Sequence, residues 1–295
     1  MALNLHHLRV FASVAEQGSF TRAATALRLS QPAVSKAVGE LERQTGMPLF
    51  ERAGRATRLT GAGDALFARA RELFAVAQTA EEELRALRGL EGGVLRVGAS
   101  TTIATYLLPP YLARFREAHP GVALRVSSAN TRAIARALHE RRLDVALVEG
   151  PVSHPRIEVL SWRDDELVVI APVTHRLAQR RSIRLSAIAG EAFIVREPGS
   201  GTRRVAERAL AAQGVEIGVA LQLGSTEAIK QAVAAGLGLA FVSRFAVADQ
   251  VALGRLAAIS VREAALGRTL TELRLRGRAP GPAEMVFREG LRQES

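Results

Sequence analysis

The sequence predicts three consecutive parts: an all-α N-terminal module with a small β ribbon, one long helix, and a C-terminal α/β region in two lobes. Three observations lead to this prediction. Apolar residues recur at helical spacing through residues 3–45, a proline-free segment with a heptad pattern follows at 63–90, and short apolar strands then alternate with helical segments. The expected domain boundaries are 1–62, 63–90 and 91–295.

The composition is that of a globular chain. Of its 295 residues, 48% are hydrophobic and 23% are charged, which excludes extended disorder and a fibrous repeat. There is no cysteine, so disulfides, thiolate zinc sites and iron–sulfur clusters are excluded. The sequence has neither a signal-peptide pattern at its start nor an apolar run long enough for a bilayer, so we expect a cytoplasmic protein without a membrane partner.

The charge favours an anionic partner. With 40 Lys+Arg against 29 Asp+Glu the net charge is +11, which is typical of a protein that binds nucleic acid. Residues 1–60 hold eight basic and four acidic side chains, and so contribute only +4 of this excess. Charge alone therefore does not locate a binding site.

Three short helices are predicted in the first part, with breaks that carry capping residues. Ser19 and Ser30 are typical N-cap residues, and Pro32 would lie in a first turn, where its missing N–H costs nothing. The third helix is predicted to end near Gly46. A short two-stranded ribbon with a tight turn at Ala53-Gly54 is expected to follow.

The second and third helices have the arrangement of a helix-turn-helix, in which the second helix of the motif meets base edges in the major groove of DNA. Val34, Val38 and Leu41 are expected to face inward. The opposite face, near the start of the helix, then carries Gln31, Pro32, Ser35 and Lys36. Glutamine, serine and lysine are residue types that contact bases and phosphates. The alternative is a three-helix packing module with an ordinary solvated face.

The segment 63–90 has a heptad seam of apolar residues. Its members are Leu66, Ala70, Leu73, Ala77, Ala80, Leu84 and Leu87. A helix of about 25 residues is roughly 38 Å long, which is more than one small domain needs. We therefore expect a partner helix from a second copy of the chain, with Phe67 and Phe74 broadening the seam. The alternative is an amphipathic helix that lies on its own core.

The C-terminal region is predicted to form a largely parallel sheet in two lobes. Its predicted strands are VLRVGA, VALRVSS, DVALVEG, ELVVIAP, AFIVRE, VALQLGS and LGLAFVS. The first lobe is expected to hold about 91–162 and 267–295, and the second about 163–266. The best candidates for crossings between the lobes are 160–165 and 256–268, after which LTELRLRG and the final helix return to the first lobe.

Hydroxyl side chains follow four of the predicted strands, where helix N-termini present unpaired N–H groups to a ligand. They include Ser100, Thr101, Thr102, Thr131, Ser200, Thr202 and Ser225. If the first and third of these junctions face one another across the cleft, hydroxyls and amides would bind a small oxyanion without lysine or metal. The alternative for each residue is a simple N-cap, which contributes about 1 kcal/mol to its helix.

The run from Leu8 to Gly63 closely resembles the N-terminal region of LysR-type transcriptional regulators. The helix order, the ribbon Arg52-Ala53-Gly54-Arg55 and the exit Leu59-Thr60-Gly61-Ala62-Gly63 all match, and the resemblance continues over essentially the whole chain. It implies a winged helix-turn-helix, a dimerising linker helix, and an effector domain similar to type 2 periplasmic solute-binding proteins. It also implies sequence-specific binding to double-stranded operator DNA by a homodimer or homotetramer. RNA polymerase is a further candidate partner.

The resemblance also implies roles for individual residues. On the DNA side, Gln31, Pro32, Ser35 and Lys36 would face the operator, with Arg52 and Arg55 on its backbone or minor groove. On the effector side, the residues in the cleft would be Ser100, Thr102, Thr131, Glu149 and Thr202. The subgroup with STT, NTR, LVEG and REPGSGTR is associated with sulfur, selenium or carbon-assimilation control. We therefore expect a small sulfur oxyanion or a phosphorylated metabolite as the effector.

Two features of the sequence complicate this interpretation. A carboxylate at Glu149 would repel an anion unless an arginine such as Arg196 or Arg203 pairs with it, or the ligand carries its own cation. Gly39 departs from the family pattern, because a better helix former there would save roughly 1 kcal/mol. Gly39 either permits a close approach to DNA or is simply tolerated.

No enzyme motif is present, since GxSxG, P-loop and HExxH patterns are all missing. We expect no catalytic residue, metal ion or cofactor. The run Asp164-Asp165-Glu166 is more typical of a solvated turn than of a divalent cation site. Two other functions stay open: a cytoplasmic solute-binding protein or enzyme on the same α/β scaffold, and a non-specific architectural DNA binder.

Overall fold

The computed structural model describes residues 3–51, 57–86, 92–262 and 266–293. It divides into two compact units, one up to residue 81 and the other from residue 82. None of the helices in the described ranges combines the length and the apolar character that a bilayer crossing requires.

The first unit holds three short helices and most of a long one. They are α1 (Leu5–Gln17), α2 (Phe20–Leu27), α3 (Gln31–Thr45) and α4 (Gly61–Ala86). The Ser19 side chain accepts a hydrogen bond from the Arg22 N–H, and Ser30 caps α3 in the same way. Gly46 ends α3 in the left-handed conformation, with φ at 69°. The predicted caps and the predicted end of the third helix are therefore confirmed.

A short antiparallel ribbon connects α3 to α4. Phe50 and Leu59 form its bridge, and the Glu51 N–H donates to the Arg58 carbonyl at 2.9 Å. The Glu42 carboxylate fixes the first ribbon residues, because it accepts from the Leu49 N–H at 2.7 Å. Arg52, Arg55 and the predicted turn at Ala53-Gly54 lie outside the described residues.

The N-terminal part of α4 packs on the core of its own unit. Ala70 is buried in that core, and Leu66, Phe67 and Phe74 pack against it. The prediction that both phenylalanines broaden a seam toward a partner helix is therefore wrong, since they complete the domain core. Leu73, by contrast, is 40% exposed. The Leu87 position lies outside the described residues.

The second unit is an α/β structure with ten strands and six α-helices in its described residues. The strands are β1 (Gly93–Ser100), β2 (Val122–Ala129), β3 (Val145–Glu149), β4 (Ile157–Pro172), β5 (Ser182–Ile183), β6 (Ala192–Arg196), β7 (Gly218–Leu223), β8 (Ala240–Ser243), β9 (Leu256–Val261) and β10 (Gly267–Leu275). The helices are α5 (Pro109–Ala118), α6 (Thr131–His139), α7 (Gly201–Ala212), α8 (Thr226–Ala234), α9 (Arg244–Ala252) and α10 (Pro282–Arg292). A π-helical turn, Ile103–Leu107, precedes α5, and a 3-10 turn, Leu185–Ile188, precedes β6.

The sheet is mixed rather than largely parallel. Its order is β2-β1-β3-β10-β4-β9-β5, with β8 also paired to β4, and β6 pairs with β7. The outer pairs β1–β2, β1–β3 and β5–β9 are parallel, whereas β10 and β4 pair antiparallel with their neighbours at the centre. The pair β6–β7 is a separate two-stranded sheet and is also parallel. The chain leaves the first lobe along β4 and returns beside it along β10. Because these two adjacent strands run in opposite directions between the lobes, they pair antiparallel. The prediction of a largely parallel sheet is therefore wrong.

The two lobes share the crossing strands. β4 runs without a break for 16 residues; it pairs with β10 up to Glu166 and with β8 from Leu167 onward. The crossing predicted at 160–165 lies within this strand. The crossing predicted at 256–268 is wrong in its first half, because Leu256–Val261 forms β9 inside the second lobe. Asp165 is 7% exposed, so the acidic run belongs to a strand and is not a solvated turn.

The last helix closes the core of the first lobe. Phe287 and Leu291 of α10 pack with Leu95 of β1 and Trp162 of β4. The indole N–H of Trp162 donates to the Leu291 carbonyl at 3.1 Å. The predicted return of the C-terminal helix to the first lobe is confirmed.

Candidate DNA-binding face and effector site

One face of α3 is polar and open to solvent. The side chains on it are exposed and consist of Gln31, Pro32, Ser35 and Lys36. The opposite face is buried and consists of Val34, Ala37, Val38 and Leu41. The side-chain amide of Gln31 donates to the Ser35 hydroxyl at 3.3 Å, so these two side chains are held together at the start of the helix. The side chains predicted to face DNA thus share one accessible surface.

The ribbon is tied to α4 by a close backbone approach. The Thr60 hydroxyl donates to the Pro48 carbonyl at 2.7 Å and accepts from the Gly63 N–H at 3.0 Å. A Cβ atom at Gly63 would lie 2.1 Å from the Leu49 carbonyl oxygen, which no side chain tolerates. The segment Leu59–Gly63 is therefore held against Pro48 and Leu49, and this contact fixes where the ribbon ends and α4 begins.

Hydroxyls from both lobes converge on one buried carboxylate. Ser100 donates to Oε2 of Glu149, while Thr102 and Thr202 donate to its Oε1 at 3.2 and 3.4 Å. Ser100 ends β1 and Thr102 follows that strand in the first lobe, whereas Thr202 lies in the first turn of α7 in the second lobe. All four residues are at most 4% exposed. We call Ser100, Thr102, Glu149 and Thr202 the Glu149 cluster.

The backbones of the two lobes touch beside this cluster. The Thr131 hydroxyl donates to the Glu149 carbonyl at 2.7 Å. A Cβ atom at Gly201 would lie 1.9 Å from the same carbonyl oxygen, and Gly150, with φ at +80°, packs against Gly201 in turn. Glycine is required at both positions because the N-terminus of α7 lies directly on the end of β3.

An arginine that the sequence does not mark as a site residue reaches the cluster through Thr202. Arg268 of β10 donates to the Thr202 hydroxyl at 2.9 Å and to Asp165 of β4 at 2.7 Å. Ser243 donates to the other oxygen of Asp165 at 2.8 Å. The signal available in the sequence was weak, because Arg268 lies 103 residues from Asp165 and falls at the edge of a predicted crossing.

The two arginines expected to neutralise Glu149 have other partners. Arg196 donates to Glu197 at 2.8 Å and to the Thr226 hydroxyl at 3.2 Å. Arg203 donates to Glu207 at 2.6 Å. The condition that one of them pairs with Glu149 is therefore not met, since hydroxyls rather than guanidinium groups satisfy that carboxylate.

The other predicted effector residues have local roles in this arrangement. Ser200 is buried and caps α7 by accepting from the Arg203 N–H at 3.3 Å. Ser225 is exposed and caps α8 through the Ala228 N–H at 3.4 Å, as in the N-cap alternative. The hydroxyl oxygen of Thr101 is buried and has no hydrogen-bond partner.

A second contact between the lobes was not anticipated from the sequence. The Tyr106 hydroxyl, on the π-helical turn of the first lobe, donates to the Glu227 carboxylate of α8. Lys230 pairs with Glu227 at 2.7 Å, and its ammonium lies 4.9 Å from the centre of the Tyr106 ring. Burial, together with the hydrogen bond to Glu227, raises the pKa of Tyr106 well above its usual range. This contact joins the lobes at a second point.

Comparison with known families decides the identity of this architecture. Residues 5–64 match the family described as bacterial regulatory helix-turn-helix protein, lysR family, and residues 88–295 match the LysR substrate binding domain. The chain belongs to the LysR family of transcriptional regulators. It is 38% identical over 295 residues to the RuBisCO operon transcriptional regulator of Allochromatium vinosum, an alignment that covers 100% of this chain and 97% of that relative.

Solved structures of LysR-type regulators share this fold. Full-length OxyR from Pseudomonas aeruginosa superposes with a TM-score of 0.79 at 25% identity, covering 99% of this chain and 94% of OxyR. The Synechocystis CcmR regulatory domain, solved in complex with 2-PG, has a TM-score of 0.65 at 31% identity over 68% of this chain and 97% of that domain. The predicted fold and the predicted role as a DNA-binding transcriptional regulator with an effector domain are therefore confirmed.

Proposed function

We propose that this LysR-type regulator contacts operator DNA through Gln31, Pro32, Ser35 and Lys36 of α3, and that a small anionic metabolite binds at the Glu149 cluster to control that contact. The DNA part of the proposal is supported by the four exposed side chains at the start of α3. Glutamine and serine are suited to base edges there, and lysine to phosphate or guanine.

The observation that carries the effector proposal is the convergence of three hydroxyl donors from two lobes on one point. Burying a carboxylate is costly unless hydrogen bonds satisfy it, and here three hydroxyls drawn from both lobes do so. Arg268 donates a hydrogen bond to the hydroxyl of Thr202, one of these three donors. A ligand with an anionic group would take over the hydroxyl donors, while a hydroxyl or acid proton on the ligand would satisfy Glu149.

The ligand must offer both an anionic group for the hydroxyls and a proton donor for Glu149, and this limits its chemical class. A small phosphorylated or hydroxylated acid carries both the acceptor oxygens for Ser100, Thr102 and Thr202 and a donor for Glu149. The CcmR regulatory domain, which is 31% identical over its matched length, was solved with 2-PG, and this supports the phosphorylated class. Sulfur oxyanions share the acceptor oxygens and form the second class to test.

A ligand bound by donors from both lobes would draw the two lobes together. We propose that this closure reorients subunits within a tetramer and changes how the DNA-binding pairs lie along the operator. A difference in ligand affinity between two states that amounts to about 1–3 kcal/mol is sufficient for such coupling.

The test is a thermal-shift and calorimetric panel with 2-PG, phosphate, sulfate, sulfite and small carboxylates. The proteins are the parent chain, Thr102→Val, Thr202→Val and the control Ser225→Ala. Saturation at 100 times the dissociation constant stabilises the native state by about 2.7 kcal/mol, so a true effector raises the melting temperature. Thr102→Val and Thr202→Val should lose this shift while Ser225→Ala keeps it. An unchanged shift in both valine variants would remove the Glu149 cluster as the effector site.

A further inference from the structure

A cavity of about 340 Å³ lies between α6, the segment 151–157 and the start of α7, apart from the hydroxyls of the Glu149 cluster. Its volume is in the range of small-molecule sites. Its basic lining residues are Arg132, Arg136, His139, His154 and Arg204. Among the residues that line it, all of which the structure describes, none carries a carboxylate. The charged or ionisable side chains that line the cavity are thus all basic.

The arginines of this cavity lack the ion pairs that neighbouring arginines have. Glu140 and Glu207, the acidic residues at the ends of α6 and in α7, pair instead with Arg142 at 2.7 Å and Arg203 at 2.6 Å. Within the described part of the chain, Arg132, Arg136 and Arg204 have no carboxylate oxygen within salt-bridge distance. The positive charge of the cavity is therefore not neutralised by the described residues.

Arg204 is the most confined of these cations. Its Nε–H is buried and has no hydrogen-bond partner, which is an unfavourable state for a guanidinium donor. Burial, followed by repulsion from Arg132 and Arg208, lowers the pKa of Arg204. A bound anion would supply both the missing acceptor and the missing countercharge, since guanidinium groups bind oxyanions through parallel N–H donors.

We infer that this cavity is a second anion site, which binds a small oxyanion of the phosphate type on Arg132, Arg136 and Arg204. Its donors are charged and unpaired, whereas the hydroxyls of the Glu149 cluster already donate to a carboxylate. The two sites therefore differ in chemistry, although Thr131 lines this cavity and donates to the Glu149 carbonyl beside the cluster. A recess of this size with a buried Nε–H suits a small ion rather than the extended backbone of a duplex.

The experiment titrates the full-length chain with inorganic phosphate by calorimetry, at constant ionic strength set with chloride. Arg204→Gln and Arg136→Gln remove charge from the cavity, and Arg136 is exposed enough that its variant is expected to fold normally. Arg255→Gln, at an exposed arginine outside the lining, is the charge-matched control. Ser100→Ala/Thr102→Val removes hydroxyls from the Glu149 cluster.

The inference predicts saturable phosphate binding in the parent chain, in Arg255→Gln and in Ser100→Ala/Thr102→Val. Each cavity substitution should weaken it by about tenfold or more, the effect expected from losing one charge-assisted hydrogen bond. Equal weakening in Arg255→Gln would reveal a general charge effect and overturn the site. Absence of saturable binding, or loss only in Ser100→Ala/Thr102→Val, would also overturn it. Weaker DNA binding by Arg204→Gln with unchanged phosphate binding would assign the arginines to DNA instead.

Discussion

Arg268 and Asp165 form a buried ion pair of 2.7 Å where β10 and β4 cross between the lobes, and their side chains are only 3% and 0% exposed. Arg268 extends this pair to the Glu149 cluster through its hydrogen bond to Thr202. The hinge strands and the candidate effector site are therefore connected by one continuous polar network.

The first prediction concerns this ion pair. Arg268→Leu leaves Asp165 buried without its cation, which should lower the free energy of unfolding by about 3–5 kcal/mol in a denaturant titration. The matched control is the exposed pair of Arg244 with Glu166 on the same strand, where Arg244→Leu should cost about 1 kcal/mol or less. Similar losses in the two variants would contradict the buried network as a stabilising feature of the crossing.

The second prediction concerns Gly39 in α3. A Cβ atom there meets nothing within 4 Å, so alanine fits without strain. Gly39→Ala should therefore raise the free energy of unfolding by about 1 kcal/mol, because alanine is the better helix former. Denaturant unfolding measures the gain. If operator affinity falls at the same time, Gly39 serves close approach to DNA; if affinity is unchanged, the glycine is only tolerated.

The third prediction concerns the exposed face of α4. Leu73 is 40% exposed and Val76 is 62% exposed, as expected if another helix covers them. We predict that Leu73→Asp shifts the chain from dimer to monomer in sedimentation experiments while its helical content is retained. Asp64→Asn, in the first turn of the same helix, is the control and should leave the assembly unchanged. A stable dimer in Leu73→Asp would rule out this face as the seam.

The fourth prediction concerns the pH dependence of the Tyr106–Glu227 contact. Burial alone would raise the pKa of Glu227, but hydrogen bonds from Lys230 and Tyr106 outweigh it and lower that pKa. The carboxylate then contributes stability above its usual pKa, which is lost as the pH falls through the lowered value. Tyr106 has a raised pKa, so its contribution is present below its usual value of 10.0 and is lost as the pH rises through the raised one.

The measurement for this prediction is the difference in unfolding free energy between the parent chain and Tyr106→Phe. The difference should be constant across neutral pH and should shrink in acid, as Glu227 becomes protonated, and again in strong base. Lys230→Met serves as a comparison, because it removes the other partner of Glu227. A difference that does not vary with pH would contradict an ionised Glu227 as the partner of Tyr106.

Much of this architecture follows from local sequence patterns. The caps at Ser19 and Ser30 and the buried stripe of α3 are set within a few residues, so helical periodicity predicts them. Ser100 and Thr202 were candidates on the condition that their junctions face one another across the cleft, and the hydroxyls of both donate to Glu149. The caps and the buried stripe rest on short-range rules that need no knowledge of distant partners.

Contacts between distant segments were not predictable in this way. Tyr106 and Glu227 are 121 residues apart, and no periodicity relates them. The role of Phe67 and Phe74 was wrong because an apolar stripe on a helix does not state whether its own domain or a second chain covers it. The strand Leu256–Val261 was missed as a strand because its short apolar run ends in charged residues near a crossing.

The most direct measurement of the central claim is a competition between the chain's own promoter fragment and a scrambled duplex, followed by gel shift at moderate salt. The full-length protein should prefer the promoter fragment, and Gln31→Ala/Ser35→Ala should bind both duplexes equally while remaining a dimer. Equal preference for the promoter in the parent chain and in the double variant would contradict the assignment of α3 as the helix that reads the operator.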